Sequence, residues 1–169
     1  MSLLFVAIGI AVMWMWIARV PVTEKKVAMM VQRIAFPGGL KLADANLAVA
    51  QLTHPDEIVI PFEHATLVID YPLTHPATVK LSASYPIGFT RAELVRAICD
   101  EYAAVYEAEE GTAHTKTVPP SERGEIRSRN RTDGAYGIWG HDLEDLALTA
   151  VRWSRKDDGT VMIELHVEG

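Results

Sequence analysis

The sequence predicts a small α+β domain behind a single amino-terminal transmembrane helix. The domain is expected to hold an antiparallel sheet of about five strands, with one main helix packed on a face. Three observations predict this. Residues 3–18 form an uncharged apolar run. Short alternating runs follow one another between Glu57 and Ser84. A capped helix beginning at Thr90 is followed, after a long polar stretch, by two more alternating runs around Asp158-Gly159.

The chain has 169 residues, enough for one ordinary domain. It is 49% apolar and 22% charged, which excludes a disordered acidic chain. Cys99 is the single cysteine, so neither an intramolecular disulfide nor a thiolate metal cluster forms within one chain. Sixteen Lys and Arg against 22 Asp and Glu give a net charge of −6, which argues against nucleic acid as the main partner. The mean hydropathy of +0.10 is high for a soluble protein, and the first eighteen residues cause it.

Residues 1–22 read as the anchor. The run LLFVAIGIAVMWMWIA covers roughly 24 Å as a helix, and Val20-Pro21-Val22 extends it to roughly 30 Å, the thickness of a bilayer core. Arg19 then sits at the boundary with its head among the lipid headgroups, and Trp14 and Trp16 occupy the interfacial belt. A cleavable signal peptide fits less well, because Met1-Ser2 lacks a basic side chain and Ala18-Arg19-Val20-Pro21 is a poor cleavage site. A buried core helix would keep a polar stripe that this run lacks. Arg19, Lys25, Lys26 and Arg33 follow the span, so the positive-inside rule places the amino terminus outside and the domain in the cytoplasm.

Residues 23–39 read as an amphipathic juxtamembrane segment. Val27, Met30, Val31 and Ile34 fall at helical spacing, Thr23 suits an N-cap and Pro37-Gly38-Gly39 suits a stop. Such a helix lies on the cytoplasmic leaflet or along a partner, or packs on its own domain; a strand over Val27 to Phe36 also fits the pattern.

Residues 40–169 form the domain. Leu40 to Leu52 is weakly helical and His54-Pro55 ends it. Strands are expected at Glu57–Phe62, Ala65–Tyr71 and Ala77–Ser84, joined by short turns in an antiparallel meander. Phe89-Thr90-Arg91-Ala92-Glu93-Leu94 reads as a capping box with a hydrophobic staple, opening a helix from Arg91 to about Glu109. Its apolar stripe holds Leu94, Ile98, Tyr102 and Val105, widened by Val95, Cys99 and Tyr106, with Cys99 as a small core residue. Asp100, Glu101, Glu107, Glu109 and Glu110 are assigned to its exposed face. Residues 111–140 are a long polar loop, within which Ile126 to Arg131 also fits an edge strand. Gly140 to Leu146 has short-helix grammar with Asp142 as cap. Strands at Leu148–Arg155 and Val161–Val167 flank the Asp158-Gly159 turn.

Few residues here carry recognisable chemistry. The six histidines, His54, His64, His75, His114, His141 and His166, show no metal-ligand spacing on one element. Leu-Thr-His-Pro occurs at 52–55 and 73–76, which reads as turn vocabulary, with a metal site between the two loops as the sharper alternative. His141 with Asp142 and Asp145 is the best catalytic-looking cluster, although carboxylates in a first helical turn are ordinary. No phosphate-binding, zinc-hydrolase or nucleophile-elbow motif occurs. No cofactor is expected. Arg123, Arg127, Arg129 and Arg131 concentrate positive charge in the long loop, and Trp139 stands between glycines as an interface anchor or a plug over the core. Lys25, Lys26 and the Arg loop suit contact with anionic lipid.

The expectation is therefore an accessory or scaffolding subunit of a larger membrane complex, acting by positioning. Its partners would be other membrane subunits and the bilayer, with Arg123, Arg127, Arg129, Arg131 and Trp139 as the contact residues. The alternatives are a membrane-tethered enzyme using His141 with Asp142 or Asp145, and a small-ligand-binding module.

Overall fold

The computed structural model describes residues 30–125 and 127–169. The expected transmembrane helix, its interfacial Trp14, Trp16, Arg19, Lys25 and Lys26, and the start of the juxtamembrane segment lie outside the described residues. Among the described residues, no helix is long and apolar enough to cross a membrane.

The domain is a mixed α/β fold with one five-stranded sheet and one main helix. In chain order the elements are β1 (Met30–Lys41), α1 (Ala45–Ala50), β2 (Ile58–Ile60), β3 (His64–Ile69), β4 (Ala77–Ser82), β5 (Phe89–Thr90), α2 (Arg91–Thr112), β6 (Ala147–Arg155) and β7 (Val161–Glu168). The main sheet runs β1-β6-β7-β3-β4, while β2 and β5 form a separate two-stranded sheet.

Three expectations about the sheet need correction. The amphipathic helix over Thr23 to Phe36 is not formed in its described part, where β1 begins at Met30. A helix would bury Val31 and Ile34 together; instead Ile34 and Phe36 are buried while Val31, Arg33 and Ala35 are exposed, a period of two. Pro37-Gly38-Gly39 does not end the element. Between Ala35↔Ala150 and Leu40↔Leu148 the register advances five residues on β1 against two on β6, a bulge that Gly38 (φ +86°) and Gly39 (φ +72°) accommodate. The meander is also incomplete. β3 and β4 pair antiparallel, but β2 leaves the sheet to pair with β5, and β3 pairs with β7 in parallel. The parallel pair forms because the strand closest to the carboxy terminus inserts between β6 and β3, an event of long sequence separation that local patterns do not encode.

The main helix starts where the capping box predicts: the Thr90 hydroxyl accepts the Glu93 N–H at 3.1 Å. The reciprocal half differs. The Glu93 carboxylate accepts from the N–H (2.5 Å) and hydroxyl (2.6 Å) of Ser84, so it ties the helix start to the β4–β5 connection. Leu94, Val95, Ile98, Cys99, Tyr102, Val105 and Tyr106 form the buried stripe. Burial pushes the Cys99 thiol up to about 11, in keeping with an inert core residue. Trp153 on β6 is fully buried and donates its indole N–H to the Val59 carbonyl at 3.1 Å, fixing the small sheet against the large one.

The register defines two poles. Val31, Ser154, Met162, Thr66 and Lys80 lie in one row across all five strands. Beyond this row lie the start of β1, the β6–β7 turn and the β4–β5 connection, together with the start of α2. At the opposite pole are the end of β3, the start of β4, the end of β7, the approach to β6 and the end of α2. His54 and His75 fall at different poles, which removes the metal site between their loops. Pro55 and Glu57 accept N–H groups from the start of α2, and the His75 N–H donates to Tyr136, which is held by the end of α2.

Candidate functional site

The far pole, away from the start of β1, is built around a buried carboxylate. Glu109 lies on the stripe of α2, seven residues after Tyr102, and has no solvent exposure. This corrects its assignment to the exposed face. Its carboxylate accepts the N–H groups of Gly134 (2.8 Å), Tyr136 (2.7 Å) and Gly137 (3.0 Å). Burial raises the Glu109 carboxyl, but the Thr132 hydroxyl and these three N–H groups outweigh it and hold the group below its ordinary value. Gly134 is required there, since a Cβ would stand 2.6 Å from the Glu109 carbonyl oxygen and 2.7 Å from its carboxylate.

Pinned in this way, residues 136–141 run as the middle of a short ladder. Thr74 N–H donates to Tyr136 O, Trp139 N–H to Pro72 O, Thr132 N–H to Ile138 O, and Arg129 and Gly140 exchange backbone bonds at 3.2 Å. The Tyr106 hydroxyl donates to the His141 carbonyl at 3.0 Å. Tyr102 donates to the Tyr71 carbonyl at 2.9 Å, just before a cis Tyr71-Pro72 bond. Alternation along the ladder buries Ile138 and turns Trp139 outward, 42% exposed.

Trp139 is not alone. Its ring meets Tyr71 edge-on at 5.8 Å, Tyr71 meets His141 at 5.7 Å, and Trp139 and His141 lie 6.5 Å apart. Gly169 packs against the His141 ring, where a Cβ would come within 2.6 Å of Nδ1. The result is a partly exposed aromatic platform on a hydrogen-bonded base.

The polar candidates divide. Residues 143–145 form a turn, not the expected short helix, because the Asp145 carboxylate accepts the Asp142 N–H (3.0 Å) and closes the segment on itself. Asp142 does not cap it. Its carboxylate takes Arg123 in a bidentate pair at 2.5 and 2.9 Å. Arg129 is 6% exposed, lies 5.1 Å over the Tyr106 ring and donates to Thr117 at 2.5 Å. Arg127 and Arg131 are exposed, and Arg131 reaches the Thr74 hydroxyl at 3.2 Å. The four arginines therefore do not share one surface: two brace the loop internally and two face outward. Of the edge strand considered for Ile126 to Arg131, the described residues 127–131 show a single bridge, Arg129 with Gly140.

Neither Asp142 nor Asp145 is hydrogen-bonded to the His141 ring; its neighbours are Tyr71, Trp139 and Gly169. Among the described residues, no group of three His, Cys, Asp or Glu is placed to hold a metal ion. The sequence places Tyr106 on the stripe of α2 and Tyr71 at the end of a strand but assigns neither to the site, and it puts Glu109 on the wrong face. The available signal was Glu109 continuing the Tyr102–Tyr106 stripe, an acid where an apolar residue was due. Comparison of the chain with family models, curated proteins and solved structures finds no match.

The Glu109 pinning has a pH signature. A carboxyl held below its unfolded value, about 4.3, contributes stability that is complete above that value and is lost as pH falls through the depressed folded value. Hydrogen exchange corrected for intrinsic rates should show the Gly134, Tyr136 and Gly137 amides losing protection on acidification below about pH 4.3, ahead of the Leu67 amide in the sheet. Simultaneous loss at all four would show that the carboxylate does not hold this loop.

Proposed function

We propose that this protein is a single-pass membrane-anchored accessory subunit of a larger membrane complex, with its amino terminus outside and its domain in the cytoplasm. It acts by positioning and subunit contact. Other membrane subunits meet the domain at the aromatic platform of Trp139, Tyr71 and His141, flanked by Arg127 and Arg131, while Lys25 and Lys26 face the anionic leaflet.

The observation that carries this reading is a half-exposed tryptophan on a loop fixed from beneath by a buried carboxylate. A large aromatic left in water is a standing gain for any surface that covers it. Because the loop is already ordered, docking costs little conformational entropy. A tethered enzyme at His141 has less support, since Arg123 and the Asp142 N–H already engage the two neighbouring carboxylates.

The test is Trp139→Ala in tagged full-length chain, extracted from its own membrane in mild detergent. A central tryptophan anchor is worth about 2 kcal/mol or more, so co-purifying subunits should fall roughly thirtyfold while the domain's urea midpoint barely moves. Partners retained in full would remove Trp139 from the interface. The double variant Arg127→Ala with Arg131→Ala should show a smaller loss, as expected for rim charges.

A further inference from the structure

A second exposed apolar feature lies at the opposite pole. Residues 83–88 connect β4 to β5, and within them Tyr85 and Ile87 are 65% and 66% exposed, the highest values for large hydrophobic side chains among the described residues. The connection is not loose. The Glu93 carboxylate grips the N–H and hydroxyl of Ser84, the Gly88 N–H closes the turn on the Tyr85 carbonyl at 3.0 Å, and Gly88 itself is packed against the backbone of Ile60 and Phe62. Tyr-Pro-Ile is thus held out into solvent by design of the surrounding bonds.

Its position gives the reason. His64↔Ser82 and Met30↔Arg155 place the end of β4 and the start of β1 at the same end of the sheet. Residues 1–29 therefore join the domain at the pole that carries this prong, and Val31, 43% exposed, is there as well. With residues 1–22 as the anchor, residues 23–29 reach at most about 25 Å, so this pole is tethered close to the lipid surface at high effective concentration.

We propose that the Tyr85-Pro86-Ile87 prong seats in the interface of that bilayer, with Ile87 toward the acyl boundary and the Tyr85 hydroxyl among the headgroups. The inference rests on the anchor reading given above. Lys80, Arg155 and Lys156 are offset at this pole by Glu63, Asp157 and Asp158, so the contact is apolar and does not require anionic lipid. It would fix the tilt of the domain and turn the Trp139 platform away from the membrane, toward a neighbour's cytoplasmic part.

Full-length protein in phosphatidylcholine vesicles tests this. Ile87→Cys, and separately Tyr85→Cys, are labelled with an environment-sensitive nitrobenzoxadiazole dye; buried Cys99 stays unlabelled. His75→Cys, exposed at the far pole, is the reference. Vesicle flotation reports anchorage independently. In floating protein, labels at 87 and 85 should emit at shorter wavelength, and lipid carrying a shallow nitroxide should quench them at least threefold more than the label at 75. Flotation with equal quenching at all three positions overturns the prong contact and leaves the anchor standing. Failure to float overturns the anchor and this inference with it.

Discussion

Glu109→Gln destabilises the domain by about 2–4 kcal/mol, measured as a fall in the urea midpoint with the slope unchanged. The substitution keeps the shape and removes the charge. Three backbone N–H groups now converge on the carboxylate. A glutamine offers one oxygen, and its amide nitrogen then faces donors with another donor. Each charge-assisted bond is worth about 1.5–3 kcal/mol, and the buried donors left over carry their own desolvation cost. Part of this is offset because a neutral amide is easier to bury than a carboxylate. The loss should be local first: amides of residues 134–137 exchange faster than those of β3, and Trp139 emission shifts toward that of free indole. An unchanged midpoint would mean that the ladder holds the loop without the carboxylate.

The second large effect is at the other pole. Gly88→Ala destabilises by about 2–5 kcal/mol. Gly88 has φ +114°, a conformation that alanine avoids, and a Cβ would stand 2.1 Å from the Ile60 carbonyl oxygen and 2.7 Å from the Phe62 nitrogen. Those atoms belong to backbone that cannot swing aside, so β2 or the prong must move. Gly111→Ala is the matched control. It lies in the last turn of α2 with open space around it, and should stabilise by up to about 1 kcal/mol through helix propensity. Equal behaviour of the two variants would contradict the close packing at Gly88.

Much of the fold was legible where local chemistry decides it. Thr90 and Glu93 mark the start of α2, and Asp158-Gly159 marks the β6–β7 turn with Gly159 at φ +87°. What stayed hidden depends on distant partners. β1 carries a pattern compatible with helix and strand alike, and pairing with β6, more than a hundred residues later, settles it. Pro37-Gly38-Gly39 lies inside that strand because its glycines absorb a bulge, whereas the same residues serve equally well as a helix stop. At the candidate site, Trp139 stood out because glycines flank it, whereas its neighbours Tyr71 and His141 come from separate segments. Arg123 and Arg129 look like free cations in sequence because their partners, Asp142 and the Tyr106 ring, are remote along the chain.

In the proposed function the domain works as a bound subunit of a membrane assembly. Native mass spectrometry of full-length wild-type protein, extracted from its own membrane in mild detergent, tests it most directly. The expected result is one dominant species of fixed stoichiometry, heavier than the 18.7 kDa chain by one or more different membrane subunits. A chain recovered from that membrane only at its own mass, or only as copies of itself, would contradict the claim.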